Sequence, residues 1–492
     1  MSREARDVVV VGAGPNGLAG AVTMARAGLD VLVLEAESTI GGGARTHALG
    51  LAPDVVHDIC SAVHPMAVAS PFLRQFDVAA RGVELRTPDL SYAQPLDGGR
   101  AGLAYRDLER TVESLGADGP AWRSLMAPLA AEPEAVTALA LGDKRSVPAE
   151  LRSVAGVRTA VAYALRALEQ GTRAWDARFT GPEAPALLTG VATHAISPLP
   201  TLATAGVALL LGSLAHGTGW PVPVGGSQAI VDALAADLLA HGGEIRTGTP
   251  VTTWRELPRA RAYLFDTTPR ALAAIWGERM PSRVRSAFED FRYGNAAAKV
   301  DFVLSGPVPW RHPEVGRAGT VHLGGTRGEM VAAEAAISAG RHAEHPMVLV
   351  SDPAVTVPER IVGGLRPLWT YAHVPAGSPR DVTEDITAEI ERFAPGFRDV
   401  VVASRCVPAS RMSDENANYV GGDIAAGAIT FWRMFARPRA ALDPFSGGIP
   451  GVYLCSSSVP PGPGVHGLGG WYAAGRALRS RFGIDALPSL AP

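Results

Sequence analysis

Residues 7–35 run strand, glycine-rich turn, helix, second strand and acid, an order that commits the chain to a parallel sheet with a dinucleotide at its edge. Asp7–Val11 is a short apolar run of the kind that forms a buried parallel strand. Gly12, Gly14 and Gly17 then make G-x-G-x-x-G. Residues from Asn16 to Ala27 have helical composition, and Gly28 supplies a C-terminal stop. Asp30–Leu34 reads as the second strand and ends in Glu35. Gly12 permits the tight turn, Gly14 lets backbone approach a pyrophosphate, and Gly17 lets helix and strand pack closely. The helix N-terminus presents free N–H groups and the positive end of the helix dipole to phosphate. Glu35, followed by Ala36, can accept both hydroxyls of an adenosine ribose. A carboxylate there argues against a 2′-phosphate and so against NADP.

Two further glycine-rich segments belong with the first. Ile40 is followed by Gly41, Gly42, Gly43, Ala44 and Arg45, a second cluster that an NAD domain does not need. Far downstream, GVYLCSSSVPPGPGVHGLGGWYAAGRAL runs from Gly451 to Leu478 as a strand, a Pro/Gly turn and a helix from about Leu468. Between them, Pro223-Val224-Gly225-Gly226-Ser227 precedes a helix with Ile230, Leu234 and Leu238 on one face, with Ser227 placed to act as its N-cap. Gly242-Gly243 ends that helix, and Ile245 to Thr252 can form a strand.

These segments resemble the flavin-binding motifs of the amine oxidase and phytoene desaturase superfamily, in particular its phytoene desaturase-like branch, which includes the pyridine nucleotide-disulfide oxidoreductase domain-containing protein 2 group. Tyr453, Leu454, Pro461, Gly462, Gly464 and Gly467 fall in register with that family's C-terminal motif. HDICSAVHPM from His57, GWPVPVGGS from Gly219 and NYVGGDIAAGAITF from Asn418 also match, so the likeness spans nearly the whole chain. It implies FAD as cofactor. The implied contacts are Gly12, Gly14, Pro15, Asn16, Gly17, Glu35, Ala36, Gly42, Gly43, Ala44, Arg45, Val251, Ser457, Ser458, Gly464, Val465, His466 and Gly467. Ser458 stands where the ribityl chain or phosphate would be met. The chain departs from the family in having Gly43 where relatives carry Arg, with Arg45 two positions on, and in having Ser456 and Ser458 for Gly and Gly/Asp.

The fold class expected is α/β. A discontinuous Rossmann-type domain, glutathione reductase-like, would be built from 1–65, 222–290 and 440–492. A mixed-sheet substrate domain with a helical cap would come from 66–221 and 291–439, the first insertion mainly helical. Ala298–Leu304 reads as a strand and Asp381–Phe393 as an amphipathic helix.

Composition narrows the function further. A net charge of −3 gives no sign of nucleic-acid binding. Cys60, Cys406 and Cys455 are far apart, form no metal-binding pattern and leave an odd thiol, which suits a reducing, cytoplasmic setting. The longest apolar stretch, Ala203–Ala215, is too short to span a bilayer. The resemblance leaves room for peripheral membrane contact and for a homo-oligomer, with a hydrophobic small molecule as substrate.

Three residues are candidates for the chemistry. Only Lys144 and Lys299 are lysines; the other 43 of the 45 basic residues are arginines. Lys299 sits in a stretch similar to one in monoamine and polyamine oxidases, whose lysine reaches the flavin N5 through a water. An amine can lose its proton on burial where a guanidinium does not. His64 could line the substrate side of the ring, and His466 lies inside the C-terminal motif; an imidazole suits proton transfer near neutrality. Trp369, Tyr371 and His373 alternate along a strand and share one face. No Ser/His/Asp triad and no C-x-x-C pair is present. The leading expectation is an FAD-dependent dehydrogenase, desaturase or oxidase that removes hydride from an isoprenoid or polyene-like molecule. An amine oxidase-type enzyme is the alternative, and a non-catalytic prenyl-binding protein of the Rab GDP-dissociation inhibitor type is a third.

Overall fold

Four consecutive valines, Val8–Val11, form the centre of the molecule. The computed structural model describes residues 5–143 and 148–492, so Lys144 lies outside the described residues. Strand β1 (Arg6–Val11) leads through Gly12, at φ +98°, into helix α1 (Pro15–Arg26) and strand β2 (Val31–Leu34). All four residues of β2 and the last four of β1 are buried, as parallel strands covered on both faces require.

The other strands of the two main sheets are β3 (Leu90–Leu96), β4 (Arg100–Tyr105), β5 (Glu244–Arg246), β6 (Ala260–Phe265), β7 (Ala296–Leu304), β8 (Ala318–Leu323), β9 (Val348–Ser351), β10 (Arg366–Val374), β11 (Val401–Val407) and β12 (Val452–Leu454). The helices that bear on the site are α2 (Val154–Gln170), α3 (Glu183–Ala192), α4 (Leu202–His216), α5 (Gln228–Ala240), α6 (Arg327–Ser338), α7 (Thr383–Phe393), α8 (Phe431–Phe435) and α9 (Leu468–Ala477).

The first sheet is wholly parallel, in the order β12-β6-β1-β2-β5. Its strands come from three separated parts of the chain, and β1 sits at the middle. Two helices close over it. A Cβ on Gly470 of α9 would overlap the Asn16 carbonyl, and one on Gly20 of α1 would lie 3.4 Å from the Gly470 carbonyl, so glycines allow α1 and α9 to meet backbone to backbone. Asn16 Oδ1 accepts from the Gly469 N–H at 3.1 Å. The two ends of the chain are joined there.

The second sheet is mixed, in the order β11-β7-β10-β9-β8-β3-β4, with β8 and β3 parallel and the other pairs antiparallel. Two of its strands lie in the first insertion, whose other elements are mostly helices. The hairpin β3-β4 turns at Asp97-Gly98-Gly99, with φ +77° and +75° at the glycines, a conformation that needs them. The register aligns His322 of β8 with Leu349 of β9, Leu349 with Tyr371 of β10, and Tyr371 with Lys299 of β7. Residues opposite one another share a face, so these four form one row, about 14 Å long at about 4.8 Å per strand. Helix α4 is buried through nearly its whole length, and no helix among the described residues is long and apolar enough to cross a membrane.

Two local expectations need correcting. The strand after α5 is only three residues long, because Gly248 at φ +58° and Pro250 turn the chain away, and Val251 lies in a loop. Ser227 does not cap α5. It has helical angles, and its hydroxyl instead donates to the Ser61 carbonyl and meets His64 Nε2 at 2.8 Å.

Candidate active site

One cavity of about 570 Å³ runs between the two sheets. Its first end is the dinucleotide turn. Glu35, at the end of β2, folds back so that Oε2 accepts from the Ala13 N–H at 2.7 Å and Oε1 from the Glu37 N–H at 3.0 Å. The acid therefore fixes the turn as well as facing the cavity, beside Ala36, Thr249 and Val251. Gly12, Gly14, Pro15 and Asn16 continue the wall. Gly17 does not line it. A Cβ on Gly17 would overlap the Gly12 carbonyl, so this is the position of closest helix–strand packing.

Asp266, just past β6, is a group of this end that no sequence motif signals. Its Oδ2 accepts from the Gly17 N–H at 2.9 Å, at the start of α1, and burial, opposed by that bond and reinforced by Glu35, pushes the carboxyl up to about 7.

The loop at 41–45 forms the next stretch of wall, through Gly42, Gly43, Ala44 and Arg45. Position 43 cannot hold an arginine in this fold. A Cβ there would overlap the Tyr419 hydroxyl and lie 3.1 Å from Tyr419 Cζ. Arg45 takes a different path. Its Nε donates to the Gly42 carbonyl at 2.9 Å and its Nη2 to the Glu415 carbonyl, so it ties the loop to the 415–419 segment. Asn416, Asn418 and Tyr419 of that segment line the cavity, as do Cys60 and Ser61. Burial pushes the Cys60 thiol up and the Tyr419 phenol well above its ordinary value, so both are neutral.

In the C-terminal loop, Ser457, Gly464 and Val465 face the cavity. Ser458 does not. Its hydroxyl donates to the Ala426 carbonyl at 2.8 Å and its N–H goes to Ser456 Oγ, so the side chain fastens the loop to the second insertion. Gly467 also lies off the wall, because it starts α9 at φ +69° where a Cβ would meet Phe72 and Ala19. His466 is fully buried with both ring nitrogens engaged: Nδ1 accepts from the Leu468 N–H at 3.1 Å and Nε2 meets the Gly462 carbonyl at 3.2 Å. It braces the turn and faces no reacting group, which corrects the expectation that it takes part in chemistry or touches the flavin.

The other end of the cavity is bounded by the second sheet and the helical cap. His64 is on the wall, held at Nε2 by Ser227, and burial, against the pull of Asp58, pushes it down to about 4. Trp369 and Tyr371 line the wall with Leu210, Leu211 and Trp220. His373 follows on the same face but is paired with Glu334 behind the cavity. Lys299 shares that face and is buried, with its ammonium on the Asp301 carboxylate and 5.9 Å from the Trp369 ring centroid. It lies outside the wall itself, one strand from Tyr371.

A parallel sheet with a glycine turn at its centre, joined through one elongated cavity to a mixed-sheet cap, defines an oxidoreductase that binds an extended flavin dinucleotide. The residues fit FAD. Glu35 and Val251 would face its adenosine and Gly12 and Gly14 its diphosphate, while Arg45, Ser457 and Gly464 line the same cavity toward the substrate domain. A family model for flavin containing amine oxidoreductases matches residues 16–262, half of the chain. The chain belongs to that family and is an FAD-dependent oxidoreductase of amine oxidase type. An uncharacterized protein of Mycobacterium tuberculosis (strain ATCC 25618 / H37Rv) is 26% identical over 537 residues, covering 95% of this chain and 96% of that one. Pyridine nucleotide-disulfide oxidoreductase domain-containing protein 2 of Rattus norvegicus is 24% identical over 546 residues, covering 95% and 92%. A limonene dehydrogenase polypeptide of Castellaniella defragrans (strain DSM 12143 / CCUG 39792 / 65Phen) is 34% identical over 109 residues, 22% of this chain and 19% of that protein. Among solved structures, wild-type putrescine oxidase bound to putrescine superimposes with a TM-score of 0.60 at 17% identity, covering 96% of this chain and 98% of that one. Cyclohexylamine oxidase from Brevibacterium oxydans IH-35A gives 0.57 at 16%, covering 96% and 97%.

Proposed function

We propose that this enzyme oxidises a neutral, largely apolar small molecule of isoprenoid type, taking hydride from a C–H bond so that a C–C or C–O bond becomes a double bond. One observation carries the reading. Among the described residues, the carboxylates that line the cavity are Glu35, Glu37, Asp266 and Glu415, all at the dinucleotide turn or on the loop that Arg45 holds. The substrate end offers Leu210, Leu211, Val207, Leu349 and Ile424 instead, with no carboxylate to pair an ammonium. A buried cation without a partner is strongly disfavoured, whereas an apolar molecule gains about 25 cal/mol per Å² covered. The partial likeness to a limonene dehydrogenase agrees with this chemistry.

FAD, when bound, supplies the hydride acceptor. The protein's part is to orient the substrate and handle its proton. His64, neutral and fixed by Ser227, is the wall residue suited to accept one. Lys299 is proposed to act from the sheet floor, with Asp301 holding its ammonium.

The enzyme is also proposed to work against a lipid surface. Met434, on the cavity wall, is exposed, and beside it lie exposed Phe431, Trp432 and Phe435 of α8.

Anaerobic titration of the yellow holoprotein tests the main reading. Monoterpene hydrocarbons and alcohols are expected to bleach the flavin absorbance, and bleaching by putrescine or cyclohexylamine alone would overturn it.

A further inference from the structure

The apolar end of the cavity carries a polar group that the protein leaves half satisfied. His194 follows α3 and lies half-buried on the cavity wall. Its Nε2 meets Nε2 of His322 on β8 at 2.9 Å, and its Nδ1 has no partner among the described residues. This contact is built into the fold. Gly190, one turn earlier on α3, packs on the sheet so closely that a Cβ would overlap Gln94 Oε1 and lie 3.0 Å from His322 Cβ. Any larger residue at 190 would press on Gln94 and on the His322 side chain.

Behind His194 the sheet holds further buried polar atoms without partners: His322 Nδ1, Gln94 Oε1, Tyr92 Oη and Thr320 Oγ1. They sit on the adjacent strands β3 and β8, where Thr320 pairs with Tyr92 in register, and the His322 and Tyr92 rings are 5.5 Å apart. Unmet buried polar atoms are uncommon in folded proteins, and a cluster of them beside a cavity makes that end of it more polar than its aliphatic lining.

The direction of the hydrogen bond follows from His322. Its Nδ1 is buried and unmet. Leaving a lone pair unmet is less unfavourable than leaving an N–H unmet, so the proton of His322 resides on Nε2 and is donated to His194. His194 then carries its own proton on Nδ1, facing the cavity. Burial, with His373 adding to it, pushes His194 down to about 3, and burial with His194 as a neighbour pushes His322 well below its ordinary value, so both rings are neutral near pH 7.

We propose that His194, oriented by His322, is a substrate-anchoring residue that donates a hydrogen bond from Nδ1 to a carbonyl or ether-type oxygen of an otherwise apolar substrate. This rests on the reading of the cavity as a site for neutral molecules, and narrows the class to oxygenated terpenoids over pure hydrocarbons.

The test uses the FAD-loaded protein and two probes of one skeleton, carvone and limonene, which differ by a carbonyl. Binding is read from perturbation of the flavin spectrum under anaerobic conditions. Carvone is expected to bind about five- to tenfold more tightly, the worth of one neutral hydrogen bond. In His194→Phe that preference should vanish while limonene binding persists. His194→Gln, which keeps an N–H donor, should restore part of it, and His322→Phe should weaken carvone alone. The carbonyl stretch of bound carvone should shift to lower wavenumber in the native protein and return in His194→Phe. FAD content and melting temperature report whether each variant is folded. An unchanged carvone preference in folded His194→Phe, or equal binding of both probes by the native protein, overturns the anchoring role and leaves the neutral-substrate reading standing. Binding of cyclohexylamine with no binding of either terpenoid overturns both.

Discussion

Tyr419 fills the space above the Gly43 backbone, so this loop has room only for glycine at position 43. The phenol hydroxyl would overlap any Cβ at 43, and the ring carbon that carries it would be 3.1 Å away. Gly43→Ala is therefore expected to force one of the two off the cavity wall. The stability loss should be about 1–3 kcal/mol, typical of inserting a methyl into a packed site. FAD content after purification should fall as well. Adding Tyr419→Phe should recover part of both losses, since the hydroxyl is the nearer atom. Chemical denaturation of the three variants measures this coupling.

Asp266 gives the dinucleotide turn a pH dependence of its own. Its folded carboxyl titrates near 7, against an ordinary 3.8, because it is buried with Glu35 as its charged neighbour. Between those values the folded protein holds a proton that the unfolded chain has lost. Stability of the FAD-free protein is therefore expected to fall as pH rises from about 4 to 7 on this account, and to stay low above it. A bound diphosphate adds negative charge at the same turn, so FAD affinity should fall with rising pH, by at most about tenfold per unit for one proton. Asp266→Asn can still accept from Gly17 and should flatten both profiles. FAD titrations of the native protein and variant at pH 6 and 8 provide the comparison, and parallel profiles would remove Asp266 as the cause.

Much of the cofactor half was legible in the sequence because its signals are local. Gly12, Gly14 and Glu35 act within one strand–turn–helix–strand unit, and each lines the cavity. Local reading failed where a distant segment decides. Ser227 has the composition of an N-cap, but Ser61 and His64, 166 and 163 residues away, claim its hydroxyl. Ser458 and His466 sit inside a flavin motif, yet backbone groups of the second insertion and of the loop itself take their polar atoms. The stretch from Asn418 was recognisable as a family segment, but nothing in it shows that Tyr419 reaches Gly43. The hairpin β3-β4 had a local signal, Asp97-Gly98-Gly99, that the helix-rich composition around it obscured.

The buried histidines work against acid. His64 and His466 are pushed down to about 4, and His194 to about 3, each first by burial. An unfolded histidine takes up its proton near 6.5, so the unfolded chain binds more protons between 6.5 and 4. The stability these neutral rings contribute is fully present above about 6.5 and is lost as pH falls toward 4, opposite in sign to Asp266. His466→Asn, which can keep a donor and an acceptor in the turn, should give a shallower loss over that window in urea denaturation. A slope as steep as that of the native protein would rule out His466 as a contributor.

Lys299 and Asp301 form a buried ion pair on the floor of the second sheet. Lys299→Met removes one partner and leaves a carboxylate in an apolar setting. The expected loss is about 3–5 kcal/mol. Lys299→Met combined with Asp301→Leu should recover most of it. The double variant also separates structure from chemistry: flavin reoxidation by oxygen that stays slow in a stable double variant supports a role for the amine, and native rates in it would end that role.

Helix α2 carries Val154, Val157, Val161, Leu165 and Leu168 along one side, each more than half exposed. The spacing is that of a single helical face. Its Tyr163 donates to the Gly206 carbonyl of α4, and a Cβ on Gly206 would lie 3.5 Å from Tyr163 Oη and 3.7 Å from Met434 Cε, so α2 and the aromatic turn α8 meet at the cavity. Arg158 on α2 and Arg433 on α8 supply positive charge beside the apolar face. Trp and Phe with arginine at their edge suit the boundary between headgroups and acyl chains, and an apolar substrate could then pass from lipid past Met434 without entering water. Flotation with vesicles of phosphatidylcholine and phosphatidylglycerol should carry the holoprotein upward, more strongly as the anionic fraction rises. Trp432→Ser with Phe435→Ser should weaken partitioning by about tenfold or more, since each aromatic side chain buried contributes about 1.5–3 kcal/mol. A holoprotein that ignores vesicles and elutes as a dimer, with the double variant monomeric, would assign the patch to a second copy of the chain instead.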